Sequence, residues 1–374
     1  MTDDRVAGAV LAGLGSMSRR RLLDICLHGS MSDAFDRLRS GRRPAGSMRM
    51  PTTLLQRLAS QARAADPEAT AHRLDHLGIG VVSAASHDYP TALGADPERP
   101  AVLFHLGSLG VLDAPRVGIV GTRNATAAGR ATARELGEGL AAAGVCVVSG
   151  LALGVDAAAH QGVLAVGADA ARAVAVVGNG LDSCYPRHNL GLFDALRSEH
   201  LVISEWPPDT PPDAFRFPLR NRIIAALSEV LIVVESRERG GSLITARACL
   251  DRGVEVMVVP GSPRSRSSIG TNHLLRDGAT PVTCVDDVLD ALGSGVRHLS
   301  VAAAGGASEG IRAEILGRVL EGPTTLDALV ADCDLGIGEA VVAVGDLITS
   351  GHITERDGWL EACRSRLVHP GRPR

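Results

Sequence analysis

Seven short apolar runs, separated by helical stretches, constrain the fold of this chain more than any other feature. Each run is rich in Val and lacks alternation with polar residues, as in strands buried on both faces. Strands that alternate strictly with helices predict an α/β fold with a doubly wound parallel sheet. The runs read VGIVG, VCVVSG, AVAVVGNG, LVISE, VLIVVES, VEVMVVPG and PVTCV.

The alternation covers the middle of the chain, so we divide the sequence into domains. Residues 1–78 predict a small helical domain, in which LAGLGSMSRRRLLDI fits either a phosphate-binding helix-hairpin-helix or plain helix packing. Residues 79–292 hold the predicted sheet, and residues 293–310 have the small-residue composition of a linker. Residues 311–374 predict three helices and a hairpin, the order of a winged helix. Because its third helix is poor in Arg, a partner or structural role is favoured over base reading.

Overall composition limits the class of protein. The formal net charge is −4, and all 38 basic residues are Arg, whose planar fork binds anions in bidentate fashion. The seven scattered Cys residues lack zinc-binding spacing, so we expect reduced thiols and no metal. Without an apolar run of the roughly 18 residues that span a bilayer, we expect a soluble cytoplasmic protein with no membrane contact.

Small and polar residues follow six of the predicted strands, at the edge where ligands of such sheets collect. Glycine lets backbone N–H groups approach an anion, and helix N-termini add a partial positive charge. One such turn could be a plain connection, but six in a row predict contacts to several successive phosphates. The turns lie at 121–123, 149–150, 178–180, 204–205, 235–242 and 260–262.

Arg residues concentrate in one part of this otherwise acidic chain. Between Arg216 and Arg276 there are ten Arg and five acidic residues, which gives this part a net charge of +5. Arg220 and Arg222 lie at the start of a predicted helix, where a positive charge is unfavourable because it is close to the positive end of the helix dipole. This placement favours a bound anion near the helix start; the alternative interpretation is a charged helix face exposed to solvent. For the loop stretches SRERG (236–240) and SPRSRSS (262–268), solvated loops and anion contacts are equally favoured.

Catalytic and cofactor motifs are absent or weak. The first turn, VGIVGTRNATAAG (117–129), has neither the GxGxxG of a dinucleotide-binding fold nor the Gly-Lys-Ser of a P-loop. The acidic residue that would bind a ribose hydroxyl, about 20 residues further on, is also missing, so we expect no cofactor. Glu205 and Glu235 follow strands, but capping or pairing with Arg is favoured over a role as general base. For Asp156 and His160, four residues apart on a helix, a capping Asp and a packed His are favoured.

The quoted turns resemble, in order and spacing, those of the bacterial DNA-processing protein A family (DprA, also called Smf). Further stretches that carry the resemblance are SGLALGVDAAAH, SEWPPDTPPDAFRFPLRNRIIAALS, VVESRERGGSLITARACL and VVPGSPRSRSSIGTNHLLRDGA. The resemblance implies an extended Rossmann-like fold, with an N-terminal SAM-like or helix-hairpin-helix domain and a C-terminal winged helix. It implies a non-enzymatic protein that binds single-stranded DNA, forms a homodimer and helps load the RecA recombinase, in natural transformation or related recombination.

The resemblance also implies a set of DNA-binding residues. We expect Arg123 to supply the charge that a P-loop takes from Lys, and the helix after Asn124 to present its N-terminus. Leu153 and Gly240 depart from the family, which often has Arg and Ser at these positions, so affinity is expected to be lower. The implied DNA-binding residues are Gly121, Arg123, Thr126, Ser149, Gly150, Gly180, Arg220, Asn221, Arg222, Gly241, Ser242, Thr245 and Arg247.

Aromatic residues are too few for extensive base stacking. The chain has two Trp, two Tyr and five Phe. Tyr185, and Phe215 or Phe217, could stack one or two bases, although Tyr185 packing at a helix start is equally favoured. We therefore expect binding dominated by phosphates and sensitive to salt.

Two other functions remain open from the sequence. One is a nucleotide-handling enzyme of the phosphoribohydrolase kind, which has a similar sheet but a PGGxGT turn that is absent here. The other is a scaffold whose winged helix recruits partners.

Overall fold

The computed structural model describes residues 2–46, 50–167, 172–293, 309–333, 335–349, 352–356 and 359–362. The chain divides into two compact units, Met1–Val296 and Arg297–Arg374, which are described separately. Among the described residues, no helix combines the length and apolar character needed to cross a membrane.

A nine-stranded sheet forms the centre of the first unit in the part of the chain that the structure describes. Its order is β1-β2-β6-β5-β4-β3-β7-β8-β9, with β3 to β9 all parallel and β1 and β2 antiparallel at one edge. The strands are β1 (Gly80–Ser83), β2 (Val102–Leu106), β3 (Arg116–Val120), β4 (Cys146–Ser149), β5 (Arg172–Val177), β6 (Leu201–Ser204), β7 (Val230–Val233), β8 (Glu255–Val258) and β9 (Thr280–Pro281).

The order of the strands confirms the predicted parallel sheet and locates its switch point. From β3 the chain builds outwards through β4, β5 and β6, then returns to pair β7 against the other side of β3. Helices leave these two neighbouring strands towards opposite faces, so a crevice opens between the turns that follow β3 and β7. The antiparallel strands β1 and β2 were not predicted.

Helices cover both faces of the sheet, as the unalternated Val-rich strands require. In β5, Ala173, Ala175 and Val177 pack into one hydrophobic cluster, whereas Val174 and Val176 pack into the other. Each fully buried Val, Leu or Ile side chain contributes about 1.5–3 kcal/mol, and each Ala contributes less. The helices of this part are α6 (Thr91–Gly94), α7 (Ala127–Ala142), α8 (Val155–Val166), α9 (Leu190–Glu199), α10 (Arg216–Leu227), α11 (Gly241–Leu250), α12 (Ile269–Arg276) and α13 (Val285–Ala291).

The predicted N-terminal helices are present. Ser18, Ser30 and Asp66 cap three of them by accepting hydrogen bonds from backbone N–H groups. Their core is continuous with that of the sheet, since Phe35 and Phe104 belong to one cluster. A separate domain ending at residue 78 stays a prediction. The helices are α1 (Asp4–Gly13), α2 (Arg19–His28), α3 (Met31–Arg39), α4 (Thr52–Ala64) and α5 (Pro67–Leu77).

The second unit consists of three helices and an antiparallel strand pair among its described residues. Ile315, Leu329 and Ile353 lie in its hydrophobic cluster. Most of the predicted linker, 294–308, lies outside the described residues. The elements are α14 (Glu309–Glu321), α15 (Leu326–Asp332), α16 (Ile337–Thr349), β10 (Ile353–Arg356) and β11 (Trp359–Ala362).

Candidate nucleic-acid interface

A cleft of about 540 Å³ lies at the switch point of the sheet. Its walls come from the turns after β3 and β7, from the segment that holds Tyr185, and from the first turns of α10 and α11. Eight of the predicted DNA-binding residues line it: Gly121, Arg123, Tyr185, Arg220, Asn221, Gly241, Ser242 and Thr245.

An aromatic stack with an attached cation forms one wall of the cleft. The rings of Tyr185 and Phe217 stack with centroids 5.3 Å apart and an interplanar angle of 24°. The guanidinium carbon of Arg123 lies 5.2 Å from the Phe217 centroid. Because the Tyr185 side of this stack is 42% exposed, it offers an aromatic face next to a positive charge.

The N-terminus of α11 forms another wall of the cleft. Gly240 occupies the N-cap without a side-chain hydrogen bond, and Gly240, Gly241 and Ser242 all line the cleft. The Ser242 hydroxyl donates to Ser236 Oγ at 2.9 Å, so it fixes the turn and does not cap the helix. The uncapped N–H groups and the helix dipole therefore favour an anion here. A Cβ on Gly240 would lie 2.4 Å from Ser236 Oγ, so a larger residue here would require the Ser236 side chain to shift.

The cleft carries an excess of positive charge. Arg123, Arg220, Arg237 and Arg239 line it, against two acids, Asp156 and Asp213. Arg237 and Arg239 are exposed, and neither forms an ion pair with another described residue. These two arginines were missing from the predicted site, although they lie in the SRERG stretch that the sequence left open.

Arg220 is buried, and its guanidinium binds backbone carbonyl oxygens of the sheet. Its side chain is 4% exposed, and its guanidinium donates hydrogen bonds to the carbonyl oxygens of Gly150 and Val176 at the ends of two strands. Burial lowers the Arg220 pKa to about 10, so it stays protonated at neutral pH. Burial raises the pKa of Asp156, and the charge of Arg220 opposes that shift. Arg220 was predicted as a phosphate contact, whereas the structure commits these donors to the carbonyl oxygens.

An internal carboxylate occupies the N-terminus of α7, where the sequence predicted that DNA would bind. The Glu235 carboxylate already lies there, accepting the Thr126 N–H at 2.8 Å and the Thr126 hydroxyl at 2.6 Å. Thr126 in turn caps the helix by accepting the Gly129 N–H at 2.9 Å. Thr126 is therefore engaged within the protein and lies outside the cleft lining.

Three further predicted residues hold the turns in place without lining the main cleft. Ser149 is fully buried and donates to the Ile119 carbonyl at 2.6 Å. The Gly180 N–H donates to the Thr210 carbonyl at 2.9 Å. Gly150 lies in a small side cavity of about 60 Å³, which Leu153 also lines.

Arg222 and Arg247 lie in a second depression, of about 510 Å³. Pro218 and Ile244 line both this depression and the main cleft. Arg222 is buried and pairs with a carboxylate, that of Glu205, while Arg247 pairs with Asp251 at 3.0 Å. The structure thus separates these two arginines from the main cleft.

The four side chains weighed as catalytic have structural roles, as favoured from the sequence. The Glu205 carboxylate pairs with Arg222, and the Glu235 carboxylate accepts hydrogen bonds from Thr126. Asp156 accepts the N–H groups of Gly150 and Ala152 at 3.1 and 3.4 Å. His160 is fully buried, and burial lowers its pKa to about 3. Within the described ranges, no group of three or more His, Cys, Asp or Glu is placed to hold a metal.

Comparison with known proteins decides the family. The model of the family described as DNA recombination-mediator protein A matches residues 80–293. The chain belongs to this family. The family is one of recombination mediators and not of enzymes, in agreement with the resemblance described above.

Individual relatives agree with this assignment. DNA processing protein DprA of Bacillus subtilis is 40% identical over 216 residues, which cover 58% of this chain and 72% of that protein. Protein Smf of Synechocystis is 33% identical over 308 residues, which cover 72% of this chain and 77% of that protein.

Two solved structures resemble the fold. DNA processing protein A from Streptococcus pneumoniae matches with 31% identity and a TM-score of 0.65, over 78% of this chain and 98% of that one. DNA processing protein A from Helicobacter pylori, described as having a unique single-stranded DNA binding mode, matches with 29% identity and a TM-score of 0.52. This match covers 58% of this chain and 96% of that one.

Proposed function

We propose that this protein binds single-stranded DNA in the cleft at the switch point of the sheet. The observation that carries the proposal is the pairing of two kinds of contact in one cleft. The Tyr185–Phe217 stack provides an aromatic face for a base. The exposed arginines and the uncapped N-terminus of α11 provide contacts for phosphates on the same strand.

A single strand suits this cleft better than a duplex. An aromatic side chain can stack on a base only where the base is unpaired and turned out of a helix. The contacts that the described residues of the cleft offer are stacking and charge, and neither requires entry into a groove of a duplex. We therefore expect weak dependence on sequence and strong dependence on salt.

Membership of the family supports a wider role. We propose that the protein forms a homodimer, helps load RecA onto the bound strand, and acts in the cytoplasm in natural transformation or related recombination. The three helices and strand pair of the second unit support a winged helix at 311–374 as a partner-binding domain. We propose the remaining domains as 1–78, SAM-like or helix-hairpin-helix, and 79–292, with the linker at 293–310.

Fluorescence anisotropy with a labelled single strand and the matching duplex, over a series of salt concentrations, tests the cleft. The variants are Arg123→Ala and the double variant Arg237→Ala/Arg239→Ala. The control is Arg134→Ala/Arg197→Ala, which removes two exposed arginines from α7 and α9 outside the cleft. Each lost phosphate contact should lower the slope of log affinity against log salt by about 0.7.

The expected result is preference for the single strand, with reduced slopes in the cleft variants and an unchanged slope in the control. Equal affinity of the wild type for both DNA forms, or cleft variants that behave like the control, would contradict the proposed function. RecA filament formation on protein-coated single strands, measured in the same variants, separates DNA binding from recombinase loading.

A further inference from the structure

The loop that follows β8 carries two exposed arginines outside the cleft. Residues 262–268 read SPRSRSS, with Arg264 and Arg266 exposed and no acidic residue in the stretch. Neither arginine forms an ion pair with another described residue. By contrast, the exposed Arg197 and Arg247 each pair with an Asp three or four residues away along the chain. The loop is therefore an unneutralised positive surface.

Internal hydrogen bonds fix the backbone of this loop. The Ser265 N–H donates to the Ser262 carbonyl at 2.9 Å, and the Ser268 N–H donates to the Ser265 carbonyl at 3.1 Å. At the base of the loop, Asn272 donates to the Gly261 carbonyl at 3.0 Å and accepts its N–H at 3.3 Å. The two arginines thus project from a defined turn, which limits the entropy lost when they bind a ligand.

The loop packs directly against the segment that supplies Arg237 and Arg239 to the cleft. The Gly270 N–H donates to the Ser236 carbonyl at 2.8 Å. A Cβ on Gly270 would lie 2.5 Å from the Arg237 carbonyl oxygen, so only glycine allows this approach. Ser267 Oγ also donates to the Glu235 carboxylate at 3.3 Å. The turns after β7 and β8 are therefore neighbours on one edge of the sheet.

The charges along this edge have one predominant sign. Arg237 and Arg239 come first, and Arg264 and Arg266 follow on the adjacent turn. Among the acids of these two turns, Glu238 is exposed, whereas Glu235 is buried and bonded to Thr126 and Ser267. A row of arginines on rigid turns, continuous with a cleft for a polyanion, suits successive phosphates of one strand.

We propose that a DNA strand bound in the cleft continues over the loop 262–268, where Arg264 and Arg266 bind its phosphates. The loop would then lengthen the binding site without adding a base contact, since the stretch has no aromatic residue. This inference rests on the proposed function of the cleft. It makes the turn after β8 an outer subsite that acts only on strands long enough to reach it.

A series of thymidine oligomers, from about 4 to 16 nucleotides, tests the inference in the full chain, since single-stranded sites span this range. We compare the wild type, Arg264→Ala/Arg266→Ala, Arg264→Lys/Arg266→Lys and the control Arg134→Ala/Arg197→Ala by competition anisotropy. With the longest oligomer, the alanine variant should lower the salt slope by about 1.4, the value for two phosphates, and the lysine variant should retain it. With the shortest oligomer, all four proteins should bind alike.

The outcomes distinguish this inference from the function on which it rests. Failure of the wild type to bind any oligomer would overturn the proposed binding of DNA in the cleft. Binding by the wild type with an unchanged slope in the alanine variant at every length would overturn only the outer subsite. Equal weakening of the alanine variant at every length would also overturn it, because the arginines would then act within the cleft. Thermal unfolding verifies that the exposed substitutions leave the fold intact.

Discussion

Replacement of Tyr185 by Ala tests whether the cleft uses base stacking in addition to charge. One face of the Tyr185 ring stacks on Phe217, and the side chain remains 42% exposed. The alanine variant removes this exposed face. The variant Tyr185→Phe keeps the ring and loses only the hydroxyl, so it is the matched control.

The expected loss follows from the value of one stacked base. Base–aromatic stacking contributes about 1–3 kcal/mol per base, which corresponds to a loss of about 5- to 150-fold in affinity for Tyr185→Ala. The salt slope should not change, because the side chain carries no charge and binds no phosphate. Tyr185→Phe should bind within about twofold of the wild type.

Anisotropy titrations with a labelled single strand at several salt concentrations measure both quantities. Stacking predicts lower affinity with parallel salt dependence for the alanine variant. Equal affinities of the alanine and phenylalanine variants would refute the stacking argument. A reduced slope in Tyr185→Ala would show instead that the substitution disturbs the neighbouring Arg123.

Three further predictions concern the scaffold. Arg220→Ala should destabilise the fold by about 2–6 kcal/mol, because it leaves the buried carbonyl oxygens of Gly150 and Val176 without their donor at about 1–3 kcal/mol each, and denaturant midpoints should show this loss; an unchanged midpoint would contradict the structural role. Gly162→Ala should cost about 1–3 kcal/mol, since its Cβ would meet a backbone oxygen of α7, whereas Gly191→Ala, with open space around it, should stabilise by up to about 1 kcal/mol; the opposite order would be inconsistent with tight packing of α7 on α8. His160 has a folded pKa of about 3 against 6.5 for the free side chain, so the unfolded state takes up a proton first as the pH falls, and stability decreases from pH 6.5 towards pH 3. Between pH 7 and pH 5 this loss is about 2 kcal/mol, at 1.36 kcal/mol per unit, and His160→Leu should remove it in urea titrations; equal losses in both proteins would argue against His160 as the source.

Hydrophobic pattern predicted the parallel part of the sheet because those strands are buried on both faces. Six of the seven Val-rich runs correspond to β3 to β8, whereas the seventh, PVTCV at 281–285, shares only Pro281 with the short, exposed strand β9. The edge strands β1 and β2 were missed, since β2 pairs with β6 about 100 residues away along the chain, and β1 in turn pairs with β2. Strand Gly80–Ser83 is half-buried and only four residues long, so it gives little periodic signal.

The sequence located the turns of the site but not the direction of their side chains. Arg123 and Arg220 both follow or face strand ends, yet one is exposed and the other points into the fold. The occupant of the α7 N-terminus, Glu235, lies 109 residues from Thr126 along the chain, and no local motif relates the two. From the sequence, Arg237 could equally be a solvent-exposed loop residue or an anion contact. Only the structure shows that its loop lines the cleft.

Photocrosslinking of a single strand that contains 4-thiothymidine, followed by mass spectrometry of the adducts, tests the central claim most directly. Binding in the cleft predicts adducts on the Tyr185–Phe217 wall and on the turns that hold Arg123 and Arg237, all of which line one cleft. Adducts confined to the second unit, with none at the switch point of the sheet, would contradict it.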